Sequence, residues 1–75
     1  MTTIIEFGVN EVMPTGVGVN PFDENFDTED EAVEAGIECM KDDPSLQAVR
    51  IFMLTIRNDV IVGDESLRTI TRDEL

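Results

Sequence analysis

The sequence predicts an α+β fold, a small two-layer sandwich with one helix packed on a 3-4 stranded antiparallel or mixed sheet around a β-α-β-β core. Three observations lead there. Apolar residues alternate over 3–9, recur at spacings of three and four over 28–42, and occupy both sides of an extended run over 47–57. Residues 1–75 are expected to form a single domain, because a chain this short supports one compact core and carries neither a repeat nor a linker.

Thr3, Ile5, Phe7 and Val9 fall on one side of an extended chain with Glu6 on the other, the pattern of a half-buried strand. From Asn10 to Pro21 the chain is rich in Gly, Pro and Asn, which predicts a loop with a brief extended stretch through its valines. Thr28 and Glu31 have the spacing of a capping box, so a helix should start there. Its apolar face is Ala32, Val33, Gly36, Ile37 and Met40, and Pro44 stops it near Asp42 and Asp43.

In the run from Gln47 to Arg57, Val49, Ile51, Met53 and Thr55 alternate with Ala48, Arg50, Phe52, Leu54 and Ile56. Both faces are therefore largely apolar, as suits a central strand. Asn58-Asp59 predicts a tight hairpin into Val60-Ile61-Val62. Gly63-Asp64-Glu65-Ser66 predicts a further turn, after which Leu67 to Thr71 reads equally well as an edge strand or a short terminal helix. Arg50, Arg57, Arg68 and Arg72 are expected to face solvent or to pair with Glu6, Glu11 or helix carboxylates.

Composition narrows the functional classes. With 41% hydrophobic and 29% charged residues the chain is globular rather than a disordered acidic tail. It has no His, Trp or Tyr, and losing the commonest general base and metal ligand argues against an enzyme. Cys39 has no partner for an internal disulfide, which points to a reducing, cytoplasmic setting. Its acidic surroundings should raise its pKa. No apolar run approaches a membrane span, and the N-terminus lacks the basic and apolar regions of a signal peptide. Arg72-Asp73-Glu74-Leu75 resembles a retrieval signal of the KDEL type and, without a signal peptide, is read as coincidence.

Charge is the most distinctive feature. The formal net charge is −12, and ten of the seventeen acidic residues lie between Asp23 and Asp43, where Lys41 is the single base. Asp23, Asn25, Asp27 and Glu34 match ligand positions of a twelve-residue calcium loop, which makes a calcium-binding or calcium-stabilised domain one alternative. The loop's sixth position is Thr28 instead of Gly, and first-turn carboxylates also complement a helix dipole with no metal, so no cofactor is expected.

Asp27, Glu31, Glu34, Glu38 and Asp42 recur on the outer side of the predicted helix, setting like charges three or four residues apart. Such pairs weaken an isolated helix by a few tenths of a kcal/mol each. A stripe that costs its own helix stability points to a partner with a basic protein surface, most readily a nucleic-acid-binding protein. Direct nucleic-acid binding is disfavoured by like-charge repulsion. The expected role is thus a small acidic inhibitor or regulator, compatible with a viral or mobile-element nucleic-acid mimic. A further alternative is an oligomeric assembly component, for instance a homodimer pairing through an edge strand.

Overall fold

The computed structural model describes residues 2–13, 16–17 and 25–75. It shows one helix packed on an open antiparallel sheet, the expected α+β arrangement. Strands β1 (Thr3–Met13) and β2 (Gly16–Val17) precede helix α1 (Glu29–Asp42), and β3 (Ala48–Arg57) and β4 (Val60–Thr71) follow it. The sheet order is β2-β1-β3-β4, and every neighbouring pair is antiparallel.

β3 is central, as its two apolar faces predict. β1 pairs with it without interruption from Thr3 against Arg57 to Val12 against Ala48. The first strand therefore runs through Asn10–Met13, where a loop was expected. The cause is the length of β3, which offers backbone partners along its whole course and draws polar Asn10 and Glu11 into the ladder. The predicted brief extended stretch is β2, paired through Val12 with Val17 and Met13 with Gly16. The remainder of the expected loop, 14–15 and 18–21, lies outside the described residues.

The β3–β4 hairpin turns on Asn58 and Asp59, whose φ values of 53° and 66° are those of a type I′ turn. Beyond it the expected break at Gly63–Ser66 is absent, and β4 continues to Thr71. Two register shifts account for this. Val62 and Leu67 are extra residues that β3 does not match, so β4 spends twelve residues against ten. Such bulges bend and twist an edge strand, and an edge open to water tolerates the polar run. The bulge at Leu67 leaves that side chain packed against the core. The ambiguity over 67–75 resolves as both elements: strand to Thr71, then a single 3₁₀ turn over Arg72–Glu74.

The core lies between α1 and one half of the sheet. Ala32 and Met40 of the helix pack with Val9, Val49, Ile51, Ile70 and Leu46. Gly36 allows the close approach, since a Cβ there would stand 3.0 Å from Cγ2 of Val49. Val33, Ile37 and Cys39 are half-buried at the margin. On the opposite face of the sheet Phe52 lies across Gly8, with the Arg50 guanidinium 5.3 Å from its ring centre.

Candidate protein-binding face

The outer face of α1 is built from its N-terminus. Thr28 is the N-cap, and its hydroxyl oxygen accepts from the Glu31 backbone N–H at 3.2 Å. The Glu31 carboxylate accepts from the Thr28 hydroxyl at 3.1 Å, which differs from the reciprocal bond to backbone N–H that the capping box predicts. Glu29, Asp30 and Glu31 occupy the first turn, where the helix dipole favours negative charge.

At the other end the Asp43 backbone N–H donates to Cys39, and Asp42 and Asp43 sit where the dipole disfavours them. Arg72 offsets this. Its guanidinium donates to the backbone carbonyls of Met40 and Asp43, at 3.0 and 2.9 Å, and to that of Leu46. Arg72 thus binds carbonyls that the helix end leaves open, rather than a carboxylate or solvent. Arg50 also departs from expectation, pairing with Asp64 of β4 at 3.1 Å instead of Glu6, Glu11 or the helix. Among the described residues this is the one ion pair, so no cation there is matched to the helix stripe.

Glu31, Glu34, Glu38 and Asp42 are all exposed on successive turns of α1. Asp27 is exposed too, but lies ahead of the cap and outside the helix. Beside the stripe a shallow open groove is lined by Phe26, Ala35 and Ile37, with Glu31, Glu34 and Glu38. Phe26 is held there by exchanging backbone hydrogen bonds with Phe7 at 2.7 and 2.9 Å. Apolar residues beside carboxylates suit a side chain that is greasy along its stem and cationic at its tip, as Lys and Arg are.

Phe26 and Ala35 were not legible as members of this surface. The one available signal was an aromatic isolated within the polar stretch Asn25–Asp27. Of the calcium-loop residues, Asp23 lies outside the described residues. Asn25 donates its side-chain amide to Glu6 at 2.9 Å, Asp27 stands before the cap, and Glu34 lies in the second turn of the helix. Among the described residues no three acidic or thiol groups converge on a position for a metal ion.

Cys39 is half-buried, and its thiol pKa is raised, chiefly by burial and then by Glu11, Asp43 and Asp42. A thiol so placed stays protonated and unreactive near neutral pH. No helix among the described residues is long and apolar enough to cross a membrane. Comparisons with protein-family models, curated proteins and solved structures returned no match.

Proposed function

We propose that this chain is a non-enzymatic acidic binding module whose α1 face, Asp27, Glu31, Glu34, Glu38 and Asp42, engages the basic surface of a nucleic-acid-binding protein as an inhibitor or regulator. The observation that carries the reading is the exposed row of helix carboxylates with no matching cation among the described residues. Its regular line of carboxylates on one side of a rigid helix supports a mimic of nucleic acid. Its helix members, Glu31, Glu34, Glu38 and Asp42, stand three or four residues apart, or about one per 5–6 Å of axis at ~1.5 Å per residue. A single nucleic-acid strand carries one phosphate per ~3.4 Å, and a duplex has about twice that density. The row is sparser than either, so the likeness lies in a regular line of anions and not in a matched density, and the neighbouring groove offers a seat for one Lys or Arg of the partner.

The test is capture from a cell lysate on the immobilised chain, in parallel with the Glu34→Lys/Glu38→Lys variant. A nucleic-acid-binding protein is expected to be retained at low salt, released at high salt, displaced by a single-stranded oligonucleotide, and absent from the variant. Circular dichroism should report an unchanged fold, because both residues are exposed. Equal retention by the folded variant would refute the acidic-face reading.

A further inference from the structure

The groove beside α1 has a volume of about 490 Å³ and is lined by Phe26, Ala35 and Ile37 together with Glu31, Glu34 and Glu38. That volume falls in the ~300–1,000 Å³ range of small-molecule sites, and half-buried apolar side chains with a few charged groups are the composition of such sites. The carboxylates form a row and not a nest. They fall within about 60° of one another around the helix axis and rise along it by about 4.5 Å from Glu31 to Glu34 and about 6 Å from Glu34 to Glu38. Among the described residues no three acidic groups converge on one point, so the row has no place for a compact metal ion. A cation matched to it carries its charge at intervals along a line.

We propose that this groove binds a linear aliphatic triamine, whose three ammonium groups meet Glu31, Glu34 and Glu38 and whose methylene chains lie on Phe26, Ala35 and Ile37. Spacing selects the class. In an extended chain each skeletal bond advances about 1.25 Å, so ammonium groups joined by three carbons stand about 5 Å apart and those joined by four about 6.3 Å. These intervals follow the three- and four-residue steps of the row in the same order. The apolar lining selects against an inorganic ion. Methylenes gain from contact with Phe26, Ala35 and Ile37, whereas magnesium gives up its water reluctantly.

Charge sets the length. Lys41, one turn beyond Glu38 on the same side of α1, is the one base in the helix and turns a fourth ammonium away. Among the described residues no cation already occupies the row, since the one ion pair there joins Arg50 to Asp64. The site goes beyond the protein-binding reading. It shares three carboxylates with that reading but needs neither a nucleic-acid-binding partner nor Asp27 and Asp42.

The test is a heteronuclear NMR titration of the full chain with spermidine, a triamine with one three-carbon and one four-carbon spacer, at about physiological salt. Saturable shifts are expected at Phe26, Ala35 and Ile37, and none there with magnesium chloride at matched ionic strength. Glu34→Gln removes the middle charge and should weaken spermidine about threefold or more. Asp59→Asn makes the same charge change in the hairpin turn, at least about 14 Å along β3 from Met53, the partner of the Phe7 that holds Phe26. That lies beyond the ~8 Å screening length, so this variant should bind as the parent does. Equal weakening in the two variants, shifts that do not saturate at the groove, or equal shifts with magnesium would each overturn the inference. Spermidine held in the groove of a chain that retains no nucleic-acid-binding protein would uphold this site and refute the proposed function, and the reverse pair of results would do the opposite.

Discussion

Asp43 shows how closely a single residue can be tied to its neighbours in this chain. Its carboxylate accepts from the Ser45 hydroxyl at 2.6 Å and from the Ser45 backbone N–H at 3.0 Å. These bonds, followed by the nearby Arg72 guanidinium, hold its carboxyl below the usual aspartate pKa. The folded value lies below the unfolded one, so the associated stabilisation is complete above the ordinary range near pH 4. It is lost as pH falls through the depressed value. A carbon-13 titration should place Asp43 lower than a free aspartate, and Ser45→Ala, which removes the hydroxyl and keeps the backbone N–H, should return it part of the way; an unaltered Asp43 in that variant would mean that the hydroxyl does not set it. The Asp-Pro-Ser turn was legible as the stop of the helix. Arg72 was not, because its acceptors are backbone carbonyls, and a sequence does not show which carbonyls a fold leaves open within reach of a guanidinium.

At the scale of elements, the contact of β1 with β3 depends on Gly8. A Cβ at this position would overlap the ring of buried Phe52, which lies across the glycine from the opposite strand. Gly8→Ala is expected to destabilise the fold by about 1–3 kcal/mol, read from urea denaturation. The penalty should shrink in a Phe52→Leu background, where the two changes couple through the shared space. Equal penalties in both backgrounds would show that the ring is not the obstacle. The elements that sequence foresaw share a strong local signal: the capped, amphipathic α1, the doubly apolar β3 and the Asn58-Asp59 turn. The two that it misjudged, the extension of β1 over Asn10–Met13 and the unbroken β4, are shaped by a partner strand. Pairing with β3 overrides Asn10 and Glu11 in one case and takes in Gly63–Ser66 with two bulges in the other.

For the whole molecule, charge and shape divide the surface into an acidic helix side and a nearly neutral sheet side. Self-repulsion among twelve excess negative charges opposes compaction, and salt relieves it. The melting temperature should therefore rise by several degrees between about 10 mM and 0.2 M sodium chloride, as the screening length falls from about 30 Å to below 10 Å. A flat or falling curve would mean that the acidic residues are already balanced within the fold. The acidic stripe was legible because charge can be counted. The alignment of Ile4, Ile56 and Ile61 across β1, β3 and β4 was not, because they become neighbours only through the register of three strands. That register also constrains the order of assembly. The β3–β4 hairpin closes over two residues, whereas partners across β1 and β3 stand 36 to 54 residues apart in the chain. Closing the longer loop costs more chain entropy, so the hairpin and α1 are expected to form early and β1 to dock last onto a template already in place. Until it does, β3 presents a bare edge to solution, and the speed of that final docking governs how long a newly made chain is open to mispairing.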